Sequence, residues 1–158
     1  MISNRRVLEL SSRFGEPEFH FVALMFAWVF HQTRRKLDSA DSTSSKLIEL
    51  AKREGTPGML VHANFAAGAT AVYRGKLHRA RARLEQAVAI PNPQPLSGSP
   101  QDPRVASCSY LALTIWLLGY PTAAIEMIHK VLSGHSSLTI RLAWSWRARL
   151  EGVFRSAT

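Results

Sequence analysis

Two stretches of the sequence repeat one pattern: RFGEPEFHFVALMFAWVFHQTRRKLDSADSTSSKLIELA (residues 13–51) and REGTPGMLVHANFAAGATAVYRGKLHRARARLEQAVAIP (residues 53–91). They align without a gap at a constant offset of 40 residues. The identical matched residues include Gly15 and Gly55, Pro17 and Pro57, Ala27 and Ala67, and Leu37 and Leu77. A repeat of this length is typical of a solenoid, because stacked units together bury an apolar face that one unit cannot bury alone.

Helical signals dominate the chain, and no useful length of alternating apolar and polar residues predicts a strand. Each Gly-x-Pro pair marks a helix boundary, since glycine ends a helix readily and proline fits the first turn of the next one. Within a unit, the two helices meet at a tight corner, predicted at Arg35–Lys36, Gly75–Lys76 and Gly119–Tyr120. We expect the first corner to be shaped differently because it lacks glycine. The predicted fold is all-α, a solenoid of about eight helices in antiparallel pairs.

The repeat predicts one domain over residues 1–158. Its units are expected at residues 16–54, 56–90 and 102–133, with single half-unit helices at 4–14 and 138–154. Residues 91–103 hold five of the eight prolines and are predicted to be an extended connector. Because each half-unit lacks its partner helix, we expect the chain to be a slice of a longer repeat array. Its two ends would then expose apolar surface that permits self-association.

Small and large residues recur at fixed positions of the units. Glycine or alanine where two helices cross permits the close approach that lets a neighbouring leucine fill the adjacent hole. These positions are Gly68, Gly75, Ala80, Leu84 and Ala87 in the second unit, and Gly119, Ala124 and Ile128 in the third. The first unit departs from the pattern, with Trp28 in place of Gly68 and Ser44 in place of Leu84. The pattern resembles the tetratricopeptide repeat, a pair of antiparallel helices that stacks into a superhelix.

A narrower resemblance rests on QDPRVASCSYLA and WLLGYPTAAI, within residues 101–125. These words resemble the carboxy-terminal tetratricopeptide region of bacterial signalling proteins and transcriptional regulators. Those proteins carry an adenylate cyclase or a DNA-binding domain followed by a predicted ATPase. The chain has no G-x-x-x-x-G-K-[ST] phosphate loop. The resemblance therefore implies a non-catalytic scaffold for protein–protein or interdomain contacts, and no enzyme activity is expected.

In tetratricopeptide solenoids, the first helix of each pair lines a concave face that receives a peptide or a partner helix. The resemblance places the following residues towards such a groove: Met25, Gln32, His62, Phe65, Tyr73 and Trp116. The opposing interpretation is that several of them are core between repeats, because aromatic residues at helical spacing are commonly buried. The expected partner is a protein, a peptide or a sister domain of a longer protein.

The formal charge of +9 supports an alternative function, a basic module associated with nucleic acid. Its densest basic stretch, RGKLHRARAR at residues 74–83, supplies the candidate surface Arg74, Lys76, Arg79 and Arg83. The simpler interpretation is a solvated face, since Leu77, Ala80 and Leu84 form the opposite stripe of a surface helix. A third interpretation is an inactive truncated remnant that has no partner.

Other functions find no support in the sequence. Six histidines and a single cysteine, Cys108, show no zinc-ligand spacing, so neither a metal nor another cofactor is expected. The longest apolar run, residues 21–30, is far shorter than the roughly 20 residues of a spanning helix. A lone cysteine forms no internal disulfide and fits a reducing compartment, so a cytoplasmic location is expected.

Overall fold

The computed structural model of the protein describes residues 17–91 and 103–133, and within these ranges it is all-helical. Six helices are present there: α1 (Pro17–Thr33), α2 (Leu37–Glu54), α3 (Pro57–Tyr73), α4 (Leu77–Ala89), α5 (Pro103–Leu117) and α6 (Pro121–Ser133). The described part therefore holds six helices rather than the eight predicted. The other two predictions, at 4–14 and 138–154, lie outside the described residues, as does almost all of the 91–103 connector.

Helix boundaries fall at the prolines and glycines that the sequence indicated. Helices α1, α3, α5 and α6 begin at a proline. Proline has no N–H, but the N–H groups in the first turn of a helix have no partner within the helix, so nothing is lost there. Helix α2 ends at Glu54 and is capped by Gly55, which has a left-handed φ of 67° and donates its N–H to Ala51 O at 3.0 Å. The Gly-x-Pro boundary at Gly55 and Pro57 is thus confirmed.

The three corners within helix pairs have one geometry. Arg35, Gly75 and Gly119 each adopt a positive φ, of 56°, 71° and 92° respectively. In every corner this residue donates its N–H to the carbonyl three residues back, and the next residue donates to the carbonyl five back, at 2.9–3.1 Å. That pair of bonds is the Schellman motif. The expectation of a different first corner was wrong, because Arg35 adopts the glycine-like conformation itself.

Arg35→Gly is expected to raise the free energy of unfolding by about 1 kcal/mol, since the left-handed conformation costs a residue with a Cβ about that much. Gly75→Ala is the matched control and should lower stability by a similar amount. Urea unfolding followed by circular dichroism measures both changes. A destabilised Arg35→Gly variant would mean that the arginine side chain is worth more to this corner than relief of its strained φ.

Successive helices pack against one another, and the odd-numbered helices also contact each other. Each helix contacts the next one along the chain, and α3 also contacts α1 and α5. The corners of only three residues leave too little chain for the second helix of a pair to run parallel to the first, so α1–α2, α3–α4 and α5–α6 are antiparallel. Helix α3 lies at the centre, and twelve of its seventeen residues are buried.

The α3–α4 crossing depends on Gly68. A Cβ added to Gly68 would lie 2.6 Å from Leu84 Cγ and 2.8 Å from its Cδ2, with Ala80 O at 3.4 Å. Leu84 is fully buried and cannot swing away into solvent. The absence of a side chain at Gly68 is therefore what lets Leu84 fill this crossing.

The equivalent positions of the first pair hold the opposite sizes. Trp28 stands at the position of Gly68, Ser44 stands at that of Leu84, and both are buried. A large residue on the first helix and a small one on the second replace the small–large combination of the next pair. The other repeat positions are buried at Ala80, Ala87 and Ala124, and half-buried at Ile128.

Candidate interaction surface

Four aromatic side chains run across the layer formed by α1, α3 and α5. Trp28 packs edge-on against Phe65 with ring centroids 5.7 Å apart, and Phe65 packs on Tyr110 at 5.5 Å. Tyr110 in turn contacts Tyr73 at 6.4 Å. Edge-to-face pairs at these distances are favourable for aromatic rings. We call Trp28, Phe65, Tyr110 and Tyr73 the aromatic row.

The polar atoms at the two ends of the aromatic row are hydrogen-bonded. Trp28 donates its indole N–H to Thr70 Oγ1 at 2.9 Å, and the Thr70 hydroxyl donates to Ala66 O at 2.8 Å. At the other end, the hydroxyls of Tyr73 and Tyr110 share a hydrogen bond of 3.3 Å. Burial, followed by this bond to Tyr73, raises the pKa of Tyr110. The shift favours the neutral form of Tyr110, which can share this hydrogen bond.

The structure distributes the six residues predicted to line a groove over different environments. Tyr73 is 46% exposed and ends the aromatic row. Met25 and Phe65 are partly buried against the core cluster of α1, α2 and α3. Trp116 is partly buried against the second cluster, formed by α3 to α6. Phe65 and Tyr110 pack against both clusters, so they join the two parts of the core.

Of the six residues predicted to line a groove, His62 fits the alternative interpretation, which places it in the core. Its side chain is only 6% exposed, within a helix that has neighbours on several sides. Because almost the whole circumference of α3 is apolar, helical periodicity gives no sign of which face is open. His62 therefore belongs to the interior rather than to an exposed groove.

Gln32 lies at the carboxyl end of α1 and is only partly accessible. Both of its side-chain amide atoms are enclosed and have no hydrogen-bond partner, and the same holds for Nδ1 of the adjacent His31. Burial, and then the positive charge of Lys36, lowers the pKa of His31. This end of α1 thus contains polar groups whose burial costs stability.

Intramolecular ion pairs occupy much of the predicted basic surface. Arg74 contacts Asp38 Oδ1 at 2.6 Å and Asp41 Oδ2 at 3.8 Å, and Arg79 contacts Asp41 Oδ1 at 3.3 Å. Arg74 also donates to Leu37 O at 3.3 Å. These contacts tie the start of α2 to the α3–α4 corner, so two of the four predicted cations already face carboxylates.

The remaining two residues of that surface differ. Arg83 is half-buried and donates to Asn64 Oδ1 at 3.4 Å and to Gln86 Oε1 at 3.5 Å. Lys76 is exposed at the α3–α4 corner. The four basic residues therefore do not form one open cationic patch.

Within residues 17–91 and 103–133, no group of three or more histidine, cysteine, aspartate or glutamate side chains could hold a metal ion. In the same ranges no helix combines the length and the apolar character needed to cross a bilayer. Cys108 is half-buried on α5.

No protein-family model, no curated protein and no solved structure matches the chain. The candidate site therefore stands on its own geometry. Sequence reasoning missed Trp28, Thr70 and Tyr110 as members of it. The signal for Trp28 was available in the sequence. At matched positions Trp28 stands in place of Gly68 and Ser44 in place of Leu84, and this exchange of side-chain size indicates a packed position.

Proposed function

We propose that the protein is a non-catalytic helical repeat scaffold, a tetratricopeptide-like solenoid that binds a protein partner along the layer of α1, α3 and α5. The observation that carries the proposal is the aromatic row. Its Trp28 end is buried, and its accessible part is formed by the half-buried Phe65 and Tyr110 and by the half-exposed Tyr73. The row is uncharged and links three successive helix pairs. Three equivalent corners and the contacts of α3 with both α1 and α5 support a stack of repeating units.

The chemistry of the aromatic row indicates the kind of partner. Tyrosine offers a large apolar ring and a hydroxyl at low cost in conformational entropy, which is why it is enriched at binding hot spots. An apolar peptide or the apolar face of a helix suits this surface better than a charged segment does. The partner we propose is therefore such a segment, either on another protein or on a sister domain.

The proposed setting is the regulatory region of a multidomain bacterial signalling protein. Its support is the sequence alone, in the words QDPRVASCSYLA and WLLGYPTAAI. The DNA immediately upstream of the coding sequence tests it. An in-frame cyclase or ATPase sequence would establish the setting, whereas unrelated sequence would leave only the scaffold proposal.

Partner binding is tested by selecting peptides from a displayed random library on the full chain. We expect enrichment of peptides rich in apolar and aromatic residues, with Tyr73→Ala weakening their binding about tenfold or more, the size of a hot-spot loss. Tyr120→Ala is the matched control, because Tyr120 is an exposed tyrosine at the α5–α6 corner. Selected peptides that bind Tyr73→Ala and Tyr120→Ala equally well would contradict the proposed site.

Ionic strength distinguishes this function from nucleic-acid binding. Phosphate contacts weaken by orders of magnitude between about 50 and 200 mM salt, whereas an apolar peptide contact does not. The ion pairs of Arg74 and Arg79 weigh against the nucleic-acid alternative. We expect selected peptides to bind with little salt dependence, as measured by fluorescence anisotropy.

A further inference from the structure

The accessible part of the aromatic row lies where α3 and α5 meet. Phe65 and Tyr73 are eight residues apart on α3, a rise of about 12 Å along the helix axis. Tyr110 of α5 contacts both rings, with its centroid 5.5 Å from that of Phe65 and 6.4 Å from that of Tyr73. The three rings therefore form a short apolar surface that follows the axis of α3.

A polar group lies at one end of this apolar surface. Tyr73 is 46% exposed, and its hydroxyl shares a hydrogen bond of 3.3 Å with the Tyr110 hydroxyl. A phenol hydroxyl can both donate and accept, so this bond leaves the Tyr73 hydroxyl with further hydrogen-bonding capacity, whichever of the two atoms is the donor. Solvent meets that capacity in the free protein, because Tyr73 is open to it.

A partner that covers the Tyr73 ring removes this solvent. A polar group that is buried without a hydrogen bond costs free energy, so a partner that binds well must supply a donor or an acceptor in place of water. The rest of the surface, formed by Phe65 and by the rings of Tyr73 and Tyr110, requires hydrocarbon. The partner must therefore present one polar group within an otherwise apolar segment.

The main chain is the polar group that every apolar segment carries, and its availability depends on conformation. In an α-helix the main-chain N–H and C=O groups bond to one another, so they are used up away from the helix ends. In an extended segment without internal hydrogen bonds, the same groups are free. An extended segment can therefore place side chains on the rings and a main-chain group on the Tyr73 hydroxyl, whereas the apolar face of a helix cannot.

We propose that the partner binds the aromatic row as an extended apolar segment, and that Tyr73 selects this conformation by pairing its hydroxyl with a main-chain N–H or C=O group. This inference rests on the proposed partner binding and names the conformation of the partner. An extended chain rises about 3.3 Å per residue, so about four residues span the rings from Phe65 to Tyr73. Alternate side chains of such a segment lie on the same side, and these contact the rings.

Two displayed peptide libraries test the conformation of the partner on the full chain. One library has proline at every third position, which prevents a helix, and the other carries random residues on one face of an alanine-rich helix. We expect enrichment from the proline library and little from the helical one. Equal enrichment, or enrichment from the helical library alone, would overturn the extended conformation and leave partner binding standing. No enrichment from either library would overturn both proposals.

Removal of the Tyr73 hydroxyl alone tests the hydrogen bond. Tyr73→Phe keeps the ring and should weaken the binding of a peptide selected from the proline library about three- to tenfold, the size of one hydrogen bond, as measured by fluorescence anisotropy. Tyr120→Phe is the matched control and should bind like wild type, because Tyr120 is an exposed tyrosine outside the aromatic row. If Tyr73→Phe bound like wild type while Tyr73→Ala lost binding, the ring alone would hold the partner. That result would overturn the role of the hydroxyl and leave the proposed site intact.

Ester substitutions in the same peptide locate the paired main-chain group. Replacing one peptide bond with an ester removes its N–H and weakens its C=O as an acceptor. At one position this change should weaken binding to wild type and have little effect on binding to Tyr73→Phe, because the variant has no hydroxyl to lose a bond. Losses that are the same for both proteins at every position would mean that the Tyr73 hydroxyl does not contact the peptide main chain, and would overturn the inference.

Discussion

Gly68→Ala is expected to lower the free energy of unfolding by about 1–3 kcal/mol, the usual cost of overpacking a core. On an exposed helix the same change would raise stability by about 1 kcal/mol, because alanine is the better helix former. The sign reverses here because the new methyl group would lie 2.6 Å from Leu84 Cγ. Leu84 is fully buried, so relief requires α3 and α4 to move apart.

A double-mutant cycle attributes this loss to the helix crossing. Leu84→Ala alone should cost about 2–5 kcal/mol, from lost burial and the cavity left behind. In the Leu84→Ala background, Gly68→Ala should cost far less, or even stabilise, because the obstructing side chain is gone. Denaturant unfolding of the four proteins should give a coupling energy of about 0.5–3 kcal/mol. Additive effects would mean that Gly68 and Leu84 do not meet.

Trp28→Ala is expected to cost about 3–5 kcal/mol, the range for deleting a buried large aromatic side chain. The indole fills the first helix pair, packs on Phe65 and donates a hydrogen bond to Thr70. The substitution should also destabilise the second helix pair, because both partners, Phe65 and Thr70, lie on α3. Urea unfolding monitored by circular dichroism measures the change.

Two milder substitutions separate the packing of Trp28 from its hydrogen bond. Trp28→Phe keeps an aromatic ring and should cost roughly 1–2 kcal/mol, because the Thr70 hydroxyl retains its bond to Ala66 O. Thr70→Val leaves the buried indole N–H without a partner and should cost about 1–3 kcal/mol. If Trp28→Ala proved as mild as a surface substitution, Trp28 would not be packed against α3.

Local sequence chemistry predicted the helices and their corners well. Proline at a helix start, and glycine at a boundary or corner, act through backbone geometry within a few residues, so the reasoning at Gly55, Gly75 and Gly119 needed no tertiary information. Arg35 shows the limit of that reasoning. Its left-handed φ is imposed by the same pair of hydrogen bonds that closes the other corners, and residue type alone does not indicate it.

It was harder to predict which face of a helix is exposed to solvent. Helix α3 is apolar nearly all round and sits between other helices, so the sequence could not tell that His62 is buried while Tyr73 is exposed. Tyr110 was missed for a different reason. It comes after the proline-rich stretch that separates the second and third units, and its contacts with Phe65 and Tyr73 depend on how α5 packs against α3.

The basic stretch was misleading because its partners lie one unit earlier. Asp38 and Asp41 on α2 precede Arg74 and Arg79 by more than 30 residues, yet the folded chain brings them into contact. Charge counted along the sequence therefore overstates the open basic surface. The neutral aromatic row, by contrast, joins residues from three helices and is visible only in the folded chain.

The described helix pairs pack on one another, with the first helices of the pairs in contact. The contact of Trp28 with Thr70 links residues 42 positions apart and exists only if the first pair packs on the second. Nuclear Overhauser spectroscopy of the indole N–H resonances tests it, with Trp28→Phe identifying the Trp28 signal. We expect cross-peaks from this N–H to the Thr70 methyl group and to the Phe65 ring. An indole signal that exchanges freely with water and shows neither cross-peak would contradict it.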